Sequence, residues 1–213
     1  TKYAEKIKIN LPKIIDQINH GYERNNIPKP SPGVGGPCLS KDPYILDFCI
    51  KKKGIKNSLQ KQVRNINTQG PKDLFVRIKK LLIKNKKKID NSKIFLIGLA
   101  FKGSPETSDL RESTSLAFLK FLKNKKNIYG FDFRVTKQEI KKLGIKPINL
   151  EDGFKNADLV IFLNNHKSYC ELNISKLSKK MKKPGIIFDC WQAFEPSEIK
   201  KLDGILYGGL GVG

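Results

Sequence analysis

From residue 93 onward the chain alternates apolar runs with amphipathic ones. KIFLIGLAF at 93–101 is apolar throughout, as a strand buried on both faces should be. NIYGFDF (127–133), ADLVIFLNN (157–165) and GIIFD (185–189) read as further strands, and GILYGG (204–209) as a short last one. Between them ESTSLAFLKFLKN (112–124) repeats its apolar residues at helical spacing, and TKQE at 136–139 has the form of a capping box opening another helix. Strands and helices that alternate across short turns predict an α/β fold with a doubly wound parallel sheet, Rossmann-like in its winding. Ligands of such sheets sit off the carboxyl ends of the strands, near the switch in strand order. That edge comprises Phe101–Asp109, Asp132, Asn164–His166 and Asp189–Trp191.

The first part of the chain reads differently. A helix is predicted over residues 1–19, interrupted near Asn10–Pro12, and a second helical stretch over Pro43–Ile83 with a break near Gly70–Pro71. Ile45, Phe48, Cys49, Val63 and Ile66 recur there at helical spacing, and Cys49 reads as an inert core thiol. Between the two lies the Pro/Gly-rich loop NNIPKPSPGVGGPCLSK. The pattern breaks again at KNKKKIDNS (84–92), which divides the chain into a helical part, 1–88, and an α/β part, 89–213.

Composition narrows the function classes. The chain has 213 residues, 38% hydrophobic, enough to bury a core, and no apolar run near the roughly 20 residues that span a bilayer, so no membrane partner is expected. It lacks an initiator Met and enters helical pattern at once, so a fragment of a longer protein is expected. The formal charge of +22 comes from lysines dispersed along the chain, with arginine only at 24, 64, 77, 111 and 134. Runs such as Lys51–Lys53 and Lys86–Lys88 have no interleaved aromatics, which argues against a nucleic-acid partner and leaves a field that draws small anions. Cys38, Cys49, Cys170 and Cys190 include no CxxC pair, and the histidines are His20 and His166, so no metal spacing is present. Reduced thiols in a cytoplasmic protein fit this usage. There is no GxSxG, and the turn KGSPETSDLRES after the first strand lacks the GxGxxG of a dinucleotide cradle. GLGVG at 209–213 has part of that spacing, with no helix after it.

The most informative stretch is PSPGVGGPCLSKDPY (30–44). Gly33, Gly35 and Gly36 permit close backbone approach to a ligand, and Asp42-Pro43 has the form of an N-cap followed by the first helical residue. Cys38 then lies just ahead of a helix start with Lys41 nearby, surroundings that favour a thiolate and hence a nucleophile. The same residues also read as a glycine loop entering a helix, with an incidental small Cys and a capping Asp.

GVGGPCLSKDPY resembles the active-site segment of the UDP-glucose/GDP-mannose dehydrogenase family, the NAD-dependent nucleotide-sugar 6-dehydrogenases. GLAFKGSPETSDLRES (98–113) is similar to the opening of that family's C-terminal nucleotide-sugar-binding domain, and ADLVIFLNNHKSY (157–169) resembles a later strand of it. The resemblance implies the end of the central helical domain followed by the C-terminal domain, with the NAD-binding domain before Thr1, so that the chain alone should not turn over. It implies oxidation of a sugar C6 alcohol to a carboxylate with NAD as cofactor, Cys38 as nucleophile and Asp42 assisting proton transfer. Arg24, Lys29, Pro30, Ser31, Pro32, Gly33, Val34, Gly35, Phe101 and Lys102 would meet the nucleotide sugar, Arg24 that of a neighbouring subunit. Lys41 and Arg111, with Cys38, would lie along NAD, though Arg111 also reads as a simple partner of Asp109 or Glu112. Homodimers or larger assemblies through Pro43–Ile83, and supply of surface-polysaccharide precursors, are further implications. The loop style leans toward N-acetylated hexosamines. Trp191 stands about where many members carry a substrate arginine, so that role is not carried over; it favours the alternative of a non-catalytic nucleotide-binding module. His166 reads as a structural hydrogen-bonder.

Overall fold

The computed structural model describes residues 1–56 and 59–213. Its centre is a six-stranded, all-parallel sheet: β1 (Ile94–Ile97), β2 (Ile128–Phe131), β3 (Lys146–Pro147), β4 (Leu159–Phe162), β5 (Gly185–Asp189) and β6 (Ile205–Gly209) in the order β3-β2-β1-β4-β5-β6. The winding reverses between β1 and β4, where Ile94–Ile97 pair in register with Leu159–Phe162. This is the doubly wound α/β architecture expected from the sequence.

Strand side chains alternate between faces, and the alternation builds two cores. Ile94, Leu96, Leu159, Ile161, Ile186 and Phe188 point to one face, where they pack with Leu74, Ile78 and Leu82 of α4 (Leu59–Lys84), Phe118 of α5 (Thr114–Leu119) and Ile140 of α6 (Lys137–Lys142). Phe95, Ile97, Val160, Phe162 and Ile187 point to the other, against Phe154 of α7 (Leu150–Phe154), Leu177 of α8 (Ile174–Ser178) and Ile199 of α9 (Pro196–Lys200). The predicted capping box is formed at Thr136 and Glu139. β1 stops at Ile97, short of the predicted Phe101, because Gly98 takes φ +88 and a Cβ there would stand 2.4 Å from the Asn164 side chain. The predicted helix at 112–124 contracts to α5, capped by the Ser113 side chain.

The leading segment forms α1 (Lys2–Lys6) and α2 (Leu11–Asn19), separated by the expected interruption, and α3 (Asp42–Lys52). Glu5 fixes α1 by receiving a forked pair of bonds from Arg77 of α4, at 2.9 to 3.1 Å, and the backbone N–H of Gly211. Two sequence expectations fail here. Helix α4 runs unbroken through Gly70-Pro71. Pro71 cannot supply the N–H that would bond the Asn67 carbonyl, and that carbonyl instead faces Gly33; a Cβ on Gly70 would lie 2.0 Å from the Pro32 carbonyl oxygen. The pair marks the place where the glycine loop lies directly on the helix. Cys49 is exposed, as are Ile45, Phe48, Val63 and Ile66, because nothing among the described residues covers them on α3 and α4.

Gly70→Ala is therefore expected to cost about 1–3 kcal/mol, as overpacking of a tight contact does. Urea denaturation should show a lower midpoint at unchanged slope; an unchanged midpoint would mean that the loop does not rest on α4 as described.

Candidate functional site

Residues 32–36 cross from α4 to the turn after β1. The side chain of Asn67 holds them at one end, accepting from the Val34 N–H at 2.7 Å and donating to the Val34 carbonyl at 2.9 Å. At the other end the Gly36 N–H meets the Glu112 carbonyl at 3.4 Å, and Cβ atoms on Gly35 or Gly36 would stand 2.5 Å from that oxygen or 3.0 Å from the Phe101 ring. The glycines at 35 and 36 are thus required by protein-on-protein contact. Beyond them the chain turns into α3, with the Cys38 carbonyl accepting from the N–H groups of Lys41 (3.1 Å) and Asp42 (2.9 Å).

Cys38 is exposed at this turn. Asp42 is the first helical residue and Lys41 the cap position, with no side-chain capping bond, so the expected Asp42 N-cap is displaced by one residue. Its carboxylate pairs with the Lys41 ammonium, which that hydrogen bond and charge hold above the ordinary lysine range, Cys38 adding to the effect. Arg111 grips Asp109 with two bonds, Nε–Oδ1 at 3.0 Å and Nη2–Oδ2 at 2.7 Å, while its side chain stays 72% exposed. The Arg111 guanidinium holds the Asp109 carboxyl below the usual carboxylate range, and Cys38 is close enough to act on the charge of Arg111. Cys38, Lys41, Asp42 and Arg111 therefore share one surface, although they come from two motifs far apart in sequence.

The other singled-out residues are spread around this centre. Lys102 reaches over the Phe101 ring, its ammonium 5.4 Å from the centroid. Its loop is pinned by Asn165, whose carbonyl oxygen accepts from the Gly103 N–H at 2.8 Å and the Ser104 N–H at 3.2 Å. Ser31 opens on a cavity of about 570 Å³ shared with Gly70, Asp73 and Leu210. Pro30 lies against Gly211, and Lys29 is ion-paired with Asp16 at 2.7 Å. Arg24 is exposed on a turn that Asn19 and Asn25 tie to α2, and no hydrogen bond or ion pair among the described residues links it to Cys38.

Several residues of the predicted ligand edge are structural anchors. Asp132 accepts from the N–H groups of Leu99, Ala100, Arg134 and Val135, and Tyr169 donates to Asn164 at 2.8 Å. Burial, with the Asp132 charge, pushes the Tyr169 hydroxyl well up. His166 accepts from the Ser168 N–H and stacks on Phe133 at 4.5 Å; its Nε2 stands 3.3 Å from Glu106 without hydrogen-bond geometry. Trp191 donates its indole N–H to the Leu163 carbonyl at 2.8 Å. Asn67, which positions the glycine loop, carried no local signal, since it acts on backbone far away in sequence; Asn165 fell within the predicted edge, where it pins the 102–104 loop. Cys190 is buried and burial holds its thiol well above the ordinary range. Among the described residues no three His, Cys, Asp or Glu side chains converge as a metal centre would need, and no helix is long and apolar enough to cross a membrane.

This fold has counterparts among known proteins. Residues 1–69 match the central domain, and residues 95–196 the UDP binding domain, of the UDP-glucose/GDP-mannose dehydrogenase family, to which the chain belongs. A UDP-N-acetyl-D-mannosamine dehydrogenase of Methanocaldococcus jannaschii is 30% identical over 85% of this chain and 39% of its own length, and one of Campylobacter jejuni 32% over 82% and 42%. A solved UDP-D-ManNAc dehydrogenase from Pyrococcus horikoshii superimposes with a TM-score of 0.81 at 27% identity, over 99% of this chain and 46% of that one. The chain thus spans about 40% of the length of the curated relatives it matches.

Asp189, at the end of β5, supplies a pH test of this edge. Burial pushes its carboxyl above the usual carboxylate range, partly offset by N–H groups of Phe194, Trp191, Ala193 and Gln192. A raised folded value means that stability from Asp189 is fully present below the unfolded value of about 3.9 and is lost as pH rises through the folded one. The stability advantage of the native protein over Asp189→Asn should shrink as pH rises above about 4 in urea denaturation. An advantage that grows with pH would refute the assignment.

Proposed function

We propose that this chain is the substrate-handling part of an NAD-dependent nucleotide-sugar 6-dehydrogenase that oxidises the C6 alcohol of a UDP-sugar to the uronate. A UDP-N-acetylhexosamine is favoured over UDP-glucose by the names of the relatives, most of which act on N-acetylated sugars. The observation that carries the reading is the exposed Cys38 thiol, held at the start of α3 beside Lys41, Asp42 and Arg111 by a loop wedged on α4 and Glu112.

The reaction removes two hydrides from the sugar and adds the oxygen of one water. Bound NAD supplies the hydride acceptor, two molecules for each sugar. Lys41 and the largely exposed Arg111 are cations beside the thiol and fit one flank of that anionic cofactor, whereas the turn after β1 offers no glycine cradle for the rest. After the alcohol has become the aldehyde, the Cys38 sulfur attacks C6, a C–S bond forms and the carbonyl oxygen takes a proton. Loss of the second hydride from C6, with the hydroxyl proton released to solvent, re-forms the carbonyl and leaves a thioester on Cys38. Water then attacks C6, Asp42 receives its proton, the C–S bond breaks and the thiolate departs with its electron pair. Pairing with Lys41 keeps Asp42 oriented at the same turn. Lys102 provides a cation for the diphosphate at the end of β1, where ligands of such sheets bind, and the 29–35 backbone lines the sugar.

A second copy of the chain is the proposed partner. Phe48, Val63 and Ile66 are 67%, 56% and 74% exposed on α3 and α4, large apolar side chains of the kind that an interface covers. Arg24, exposed on its turn, is the residue proposed to reach the nucleotide sugar of the neighbouring copy.

In a full-length protein carrying this sequence, Cys38→Ala should lower uronate formation by at least about 10³-fold while the nucleotide sugar still binds. Chromatography of the products with calorimetric binding checks this; retained uronate formation would overturn the thioester route. Phe48→Glu should shift light-scattering mass from dimer to monomer, and an unchanged dimer would place the interface elsewhere.

A further inference from the structure

The five arginines stand out in a chain whose other cations are all lysine. Arg77 is forked onto Glu5, Arg111 onto Asp109, and Arg134 lies 3.5 Å from Glu106. Arg64 has no ion pair among the described residues, and its Nε is buried without a hydrogen-bond partner. It lines a cavity of about 240 Å³ between α4, α5 and residues 112–114, with Asn67, Thr68, Glu112, Thr114 and Lys120 among the other walls.

The polar atoms of this cavity divide into those already used and those still free. Asn67 spends its amide on Val34, Thr68 donates to the Arg64 carbonyl, and Ser113 donates to the Leu99 carbonyl. The guanidinium of Arg64 and the ammonium of Lys120 remain as donors, two cations against the single carboxylate of Glu112. A planar guanidinium presents a fork that fits two oxygens of a tetrahedral oxyanion, and a second cation across a small cavity adds a point charge to the same ligand. The volume suits a phosphate-sized group.

We propose that the Arg64–Lys120 cavity is a binding site for a phosphate-type oxyanion, separate from the Cys38 surface. It goes beyond the dehydrogenase reading and does not need it. The site backs onto that surface all the same: Val34 and Glu112 line the cavity, and the same two residues fix the glycine loop through Asn67 and Gly36. An occupant would therefore stiffen the loop that presents Cys38. Free phosphate and the phosphate of a nucleotide share this chemistry, and the test separates them.

Inorganic phosphate is titrated into the chain by calorimetry and thermal denaturation at constant ionic strength, with chloride as the balancing anion. The melting temperature should rise with phosphate concentration, sulfate should act likewise, and the affinity should fall at least tenfold in Arg64→Met and be weakened in the exposed-site variant Lys120→Gln. Phosphate binding should persist in the presence of UDP or NAD. Equal binding by native and Arg64→Met chains would assign it to the general lysine surface and overturn the proposal. Loss of phosphate binding when UDP or NAD is added would make the cavity part of a nucleotide site and overturn its separateness. If Cys38→Ala left uronate formation intact but phosphate still bound through Arg64, only the dehydrogenase reading would fall.

Discussion

Everything at the candidate site depends on one close approach, the backbone of Pro32–Gly33 lying against α4 at Gly70. The helix has no side chain at 70 and no N–H at 71, so it presents a flat, carbonyl-bearing surface on which another backbone can rest. Asn67, one turn earlier, converts that contact into a fixed register by bonding both polar groups of Val34. The next two residues, Gly35 and Gly36, must fit under Phe101 and Glu112. The direction in which Cys38 leaves the loop is set by these contacts and not by its immediate neighbours.

The same arrangement joins the two parts of the chain. The second half of α4 belongs to the sheet core through Leu74, Ile78 and Leu82, and its first half carries the glycine loop. A shift of α4 on the sheet would move Cys38 relative to Arg111. The Glu5–Arg77 fork and the bond from the Gly211 N–H to Glu5 tie α1 and the end of the sheet to that helix as well. One element thus sets the geometry between a thiol from one motif and cations from another.

Much of the sheet was legible in the sequence because β1, β4 and β5 are buried on both faces and so read as unbroken apolar runs. The Thr136–Glu139 box was legible because its partners are three residues apart. β3 was not, since two residues, Lys146 and Pro147, carry no periodicity, and α7 contains Gly153, kept small by the Phe95 ring beneath it. Gly70-Pro71 read as a helix break because local propensity does not register a backbone arriving from Pro32. Cys49 read as core because helical spacing of apolar residues does not tell which face lacks a cover. Asp132, Asn164 and Asp189 were correctly placed at or just past strand ends, but their burial spends them on backbone N–H groups and on Tyr169 instead of a ligand. The cysteine loop and the DLRES turn were visible as motifs; their convergence required the fold.

The central claim is that this geometry presents Cys38 as the atom that bonds to the sugar. The most direct measurement is acid quenching of a full-length protein carrying this sequence during turnover of its nucleotide sugar, followed by peptide mass spectrometry. The account predicts an acyl-sugar nucleotide adduct on the peptide containing Cys38. An adduct on Cys49 or Cys170, or turnover to uronate with no adduct on any cysteine, would contradict it.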